Sequence, residues 1–171
     1  MRGLIPSISF LRDDNLDLPF KERLRIIKQL YVITSKIRSP HSQYEMLAVI
    51  RTILSLPPES NGVIVEAGCF KGSSTAKFSL AADIVGRNLV VFDSFEGLPE
   101  NDEPHDKTIY GGTRKIDFSK GSFCGSLEEV KSNVARFGKI DRCKFVKGWF
   151  EDTMPHFAEP ISVITSVRLT W

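Results

Sequence analysis

The most chemically pointed spacing lies in residues 65–75, Val-Glu-Ala-Gly-Cys-Phe-Lys-Gly-Ser-Ser-Thr, between an apolar run and a helical pattern. Gly68 lets the chain turn tightly, and Gly72 lets helix and strand pack closely or the backbone approach a ligand. Ser73 or Ser74 is expected to cap the following helix, whose free N–H groups attract an anion. A dinucleotide site would read G-x-G-x-x-G. This loop reads G-x-x-x-G, with Phe70 in the middle glycine's place, where bulk crowds a pyrophosphate. Glu66 also opposes phosphates and attracts a cation. A ligand carrying an ammonium and a carboxylate but no phosphate suits the acid, the glycines and the helix start together. S-adenosylmethionine is such a ligand, and its sulfonium carries a transferable methyl. Cys69 sits inside the loop, where a helix start can lower a thiol pKa; the simpler reading is a small residue filling a tight turn.

Asp93, followed by Ser94, ends a second apolar run, where a carboxylate can accept hydrogen bonds from ribose hydroxyls. That feature serves nicotinamide cofactors and S-adenosylmethionine alike, and strand-end acids also cap turns. After a third run comes Lys147-Gly148-Trp149-Phe150-Glu151-Asp152. Trp149 or Phe150 is placed to stack on adenine and Asp152 to accept from its amino group, with core cover the competing role for either ring. His105 and Asp106 are candidates to reach over the cofactor, set against a role as solvated loop residues. His41 and His156 have no evident partner. Tyr44 and Met46 are candidates for an acceptor pocket, with core packing an equal account of Met46. The basic run from Lys21 to Lys28 reads as a solvated helix face.

The elements that must hold these residues are legible from periodicity. A helical stripe runs from Phe20 to Ile37 and closes at Ser39-Pro40. A capping box, Ser42-x-x-Glu45, opens a second helix that Pro57-Pro58 ends. Residues 62–65 form a β-branched strand. A helix follows from Ser74 to Val85, with Gly86 as its terminal cap, and residues 89–92 are a second strand. Residues 94–125 are too long and polar for a plain connection and read as a lid or binding loop. A second capping box, Ser126-x-x-Glu129, starts a helix to Phe137 that Gly138 stops. Residues 143–146 and 161–164 complete the strands. Alternating strands and helices imply an α/β, Rossmann-like parallel sheet. The organisation expected is an N-terminal helical segment, 1–60, and a partial cofactor-binding domain, 61–171, with ligands beyond the carboxyl ends of the strands.

Composition is that of a globular chain: 171 residues, 42% apolar and 26% charged, with a net charge of +2 that argues for neither nucleic acid nor a membrane surface. Three cysteines, Cys69, Cys124 and Cys143, with no CxxC pair fit reduced thiols in a cytoplasm. Pro6, Ser7 and Ser9 break the N-terminal apolar stretch, so no signal peptide is read there.

The phrases GVIVEAGCFKGSSTAKFSLAA, LVVFDSFEGLP, GSLEEVKSNVARFG and FVKGWFEDTMP resemble the macrocin-type O-methyltransferases of the TylF/MycF kind, from about Ser42 to Val163. The resemblance implies a class I methyltransferase sheet. Glu66, Gly68 and Gly72 would match its first cofactor motif, Asp93 its ribose acid, and Trp149 to Asp152 its adenine side. It also implies transfer of a methyl to a sugar hydroxyl of a natural-product acceptor, with magnesium as an aid. Members of that family are longer and carry a D-x-D-x-Y segment after the fourth strand, which supplies metal ligands and catalytic groups. Here residues 164–171 read Ile-Thr-Ser-Val-Arg-Leu-Thr-Trp, with no acid after Glu159. The expectations are therefore no metal site, a frameshift or truncation near Ile164, and weak or absent turnover. A bare edge on the fourth strand is also expected, which dimerisation would cover. The competing readings are a nicotinamide-dependent oxidoreductase fragment and a non-catalytic Rossmann-like binding domain.

Overall fold

The computed structural model describes residues 4–100 and 120–166. His105 and Asp106, most of the 94–125 loop, and the last five residues lie outside that description.

Four short strands build one parallel sheet in the order β3-β2-β1-β4: β1 Val63–Ala67, β2 Leu89–Asp93, β3 Cys143–Lys147 and β4 Ile161–Ser166. β1, with a neighbour on either side, is buried along its whole length and β2 nearly so, whereas the flanking β3 and β4 hold no fully buried residue. Side chains alternate between the two faces of a strand. Ile64, Leu89 and Val91 accordingly join the main core under the helices, while Val63, Val65, Val90 and Phe92 form a second cluster with Val146, Met154 and Phe157. Phe157 meets Phe92 edge-on at 5.3 Å.

The helices are α1 Leu4–Leu11, α2 Phe20–Lys36, α3 Gln43–Leu54, α4 Ser73–Ile84, α5 Leu127–Phe137 and the single turn α6 Phe150–Thr153. The capping box on α3 is complete, with Ser42 and Glu45 exchanging backbone and side-chain bonds. The second one is only half made. Ser126 accepts from the Glu129 N–H at 3.1 Å, but the Glu129 carboxylate instead pairs with Lys71 at 2.8 Å, tying α5 to the loop after β1. Neither α1 nor α6 shows in the sequence pattern. Pro6 falls in the first turn of α1, where a missing N–H costs nothing, and Phe10 anchors that helix in the core.

Two devices fix the frame. Gly138 lets α5 end against α4: a Cβ there would lie 2.9 Å from Ala76, and the Lys139 N–H donates to Ser79 Oγ at 2.9 Å. Beyond the other end of α4, Arg87 donates to the carbonyls of Pro57, Ser60 and Gly62 and to Ser162 Oγ. That guanidinium binds the connection into β1 to the start of β4.

Candidate functional site

Because all four strands are parallel, their carboxyl ends lie along one rim of the sheet, and the candidate residues gather there. At the end of β2, Asp93 is fully engaged by backbone donors: Oδ2 accepts from the Cys69 N–H at 2.6 Å and Oδ1 from the Phe95 N–H at 2.8 Å. One carboxylate therefore shapes both the turn leaving β1 and the turn leaving β2, and each oxygen keeps a lone pair for a further donor. The Gly68 N–H donates to the Phe92 carbonyl at 2.8 Å and the Gly148 N–H to the Asp93 carbonyl at 3.0 Å, so the ends of β1 and β3 are both laced to β2.

The cleft over this rim is lined by Gly68, Phe70, Asp93, Ser94, Trp149 and Phe150, as the sequence suggested, and also by Leu98, Phe123 and Glu151. Phe150 is 42% exposed and Trp149 half-buried, so these rings face the cleft and do not serve as core cover. Phe70 and Phe123 hold left-handed backbone, at φ 50° and 57°, and meet edge-on at 5.8 Å. Bulky residues at positive φ are costly and persist where surrounding structure enforces them. Here the enforcement is close packing: a side chain at Gly125 would run into the Phe70 carbonyl, and one at Gly97 would meet the Gly121 carbonyl at 2.6 Å.

Several expected ligand residues are placed differently. Asp152 lies on α6, exposed and away from the cleft lining, where Glu151 stands in its place. Gly72 does not line the cleft; it is the N-cap of α4, at φ 79°, where a Cβ would press on Val130 at 3.0 Å. Neither Ser73 nor Ser74 is the cap, because the left-handed turn at Gly72 begins the helix one residue earlier than expected. Cys69 is buried, and burial together with Asp93 and Glu66 pushes its thiol far above the ordinary range, which removes a nucleophilic role.

Glu66 is not at an open strand end. Strand alternation turns it under α4, 1% exposed, and Thr75 Oγ1 donates to its Oε2 at 2.6 Å, while Oε1 has no hydrogen-bond partner. Burial raises its carboxyl to about 7, against the opposing pull of the Ser74 and Thr75 hydroxyls. It faces a second, smaller cavity of about 130 Å³ on the β4 side of β1, with His41, Glu45, Met46, Ser74, Thr165 and Ser166. A narrow gap beside it brings Arg38 and His41 against Cys69, Ser73 and Ser74. Ser73 Oγ, buried, also lacks a partner. Sequence reasoning gave His41 and Glu45 no place at the site. Their signal was weak, because only the packing of α3 against α4 and β4 brings them to Glu66. Tyr44, a candidate beside them, is 66% exposed and absent from both cavities.

The profile of the macrocin O-methyltransferase (TylF) family matches residues 40–170. The chain belongs to that family. Among its macrocin-family relatives, a Streptomyces olivaceus tetracenomycin-rhamnosyl 4'-O-methyltransferase is 31% identical over 112 residues, which cover 63% of this chain and 41% of that protein. A Micromonospora griseorubida mycinamicin III 3''-O-methyltransferase is 33% identical over 103 residues, covering 55% of this chain and 39% of that one. The matched part thus spans about two-fifths of either relative. The structure of the O-methyltransferase NovP superposes with a TM-score of 0.61 at 19% identity, covering 84% of this chain and 71% of NovP. The fold is accordingly the class I methyltransferase sheet that the macrocin-family phrases imply.

Proposed function

We propose that the chain binds S-adenosylmethionine at this rim and takes part in O-methylation of a sugar hydroxyl on a natural-product-like acceptor. The carrying observation is the pair of unpartnered buried atoms where β1 packs under the first turn of α4. Glu66 Oε1 is an acceptor with no donor, and Ser73 Oγ stands beside the helix's free N–H groups and Arg38. Buried polar atoms seldom stay unpaired. An ammonium suits the first and a carboxylate the second, so the donor set fits the amino-acid end of this cofactor. Asp93 would take the ribose hydroxyls through its remaining lone pairs, and Trp149 and Phe150 would cover the base. Bound there, the cofactor supplies an electrophilic methyl; the protein's part is to orient it and exclude water.

The relative named for a rhamnosyl-bearing tetracenomycin supports the acceptor class, and the mycinamicin relative is an O-methyltransferase as well. A nicotinamide reading has the loop spacing, the buried Glu66 and the bulk of Phe70 against it. Among the described residues no group of three or more His, Cys, Asp and Glu side chains is placed to hold a metal ion. No described helix is long and apolar enough to cross a membrane; free cysteines support a reducing, cytoplasmic setting.

Titration calorimetry tests the cofactor. Adenosylhomocysteine is expected to bind and NAD not, with Glu66→Gln weakening adenosylhomocysteine by about tenfold or more, as loss of a charged hydrogen bond does. Binding of NAD in preference to adenosylhomocysteine overturns the reading. Cofactor binding with no labelled methyl reaching any sugar-bearing acceptor would favour the non-catalytic alternative.

A further inference from the structure

Resting on that cofactor reading, we propose that His41 is the residue that takes the proton from the acceptor hydroxyl, and that the cavity between α3, β1 and β4 admits that hydroxyl. His41 lines both the β4-side cavity, with Glu66 and Ser74, and the narrow gap against Cys69, Phe70 and Ser73. It thus borders the loop assigned to the cofactor and the cavity next to it. Its backbone is fixed by a bond from its N–H to Ser39 Oγ at 3.3 Å and by the capped start of α3 immediately after it. Among the described residues its ring makes no hydrogen bond, so a ring nitrogen is available.

The other titratable groups around the cavity are engaged elsewhere or already carry positive charge. Glu45, on the same helix, is held by the Ser42 N–H and hydroxyl, both at 2.7 Å, and those bonds lower its pKa. Glu66, from β1, is tied to Thr75 and assigned to the ammonium. Lys77, buried on α4, acts on the ring as a neighbouring positive charge, and Arg38 lines the adjoining gap; burial brings Lys77 down to about 8. Burial lowers the imidazole pKa, Glu45 opposes that and Lys77 adds to it. The ring is therefore neutral at pH 7, the form a general base needs. In the step, the acceptor oxygen bonds to the methyl carbon, the donor sulfur keeps the electron pair of the broken bond, and the hydroxyl proton passes to the free imidazole nitrogen.

The test uses the full chain saturated with adenosylhomocysteine, isotope-labelled in histidine, and methyl α-L-rhamnopyranoside as the probe. The His41 ring signals are expected to titrate below pH 6.5 and to shift when the glycoside is added. In transfer assays with labelled methyl, the rate should rise through that same pKa. His41→Gln should keep adenosylhomocysteine affinity within twofold yet lose about a hundredfold or more in transfer. Bound glycoside that leaves the His41 signals unmoved, or a variant within threefold of the parent, overturns the proposal while the cofactor reading stands. Failure to bind adenosylhomocysteine at all removes that reading and this one with it. If the parent transfers no methyl to the glycoside, the ring signals alone decide.

Discussion

Glu66 is the side chain at which stability and the proposed cofactor binding would meet. Its carboxyl is raised to about 7 by burial, well above the value of 4.5 it has in an unfolded chain. The folded state therefore holds a proton that the unfolded state releases between those values. The stability this contributes is present below pH 4.5 and is lost as pH rises through 7, and a shift of that size corresponds to about 3 kcal/mol. Glu66→Gln, which cannot ionise, should melt higher than the parent at pH 8 and at the same temperature at pH 4. Thermal melts at the two values check this, and a pH-independent difference would show the carboxyl is not the cause. The same variant is the one expected to weaken adenosylhomocysteine. A cation bound at Oε1 would draw the pKa back down, and binding below pH 7 should release a proton, visible as a buffer-dependent heat.

At the scale of elements, the loop from β1 into α4 is held by close approach. Gly72 and Gly86 both have left-handed backbone, at φ 79° and 67°, but only Gly72 has a neighbour within 4 Å of where a Cβ would sit. Gly86→Ala should cost about 1 kcal/mol for the backbone conformation alone. Gly72→Ala should cost more, because Val130 on α5 must also give way. Urea unfolding of the two variants separates the contributions, and equal losses would show that Val130 moves freely. The helix and strand runs were readable because their apolar periods are long or dense. What was missed at this scale has specific causes. A single turn such as α6 has no period to detect. The start of α4 is set by Gly72 turning against α5, and not by a serine side chain. Half of a capping box was lost because Glu129 found Lys71 across the fold.

At the scale of the whole molecule, the sheet is covered unevenly. The helix face is closed by α1 to α5, whereas among the described residues the opposite face carries Val65 and Phe92 under Met154 and Phe157, and Ile161 and Ile164 on β4 are 48% and 61% exposed. Among the described residues β4 pairs only with β1, so a row of backbone groups and two isoleucines meet solvent together. Such an edge invites pairing with another chain. Light scattering should find the chain associating as concentration rises, and replacing Ile161 and Ile164 together by lysine should suppress that without lowering the melting temperature by more than a few degrees. Unchanged association would place the contact elsewhere.

By itself the sequence determined the four strands and the four longer helices α2 to α5, the all-parallel sheet, and the glycine loop after β1 with an acid at the end of β2. Those follow from local periodicity and from glycines and acids at fixed distances along the chain. It also carried the family likeness. Only the tertiary structure decided which way Glu66 faces, that Glu151 and not Asp152 lines the cleft, and that His41 and Glu45 share a cavity with Glu66. Those outcomes depend on strand alternation in a particular register and on helices packed across it, and contacts between residues distant in the chain leave no spacing for a reader of the sequence to measure.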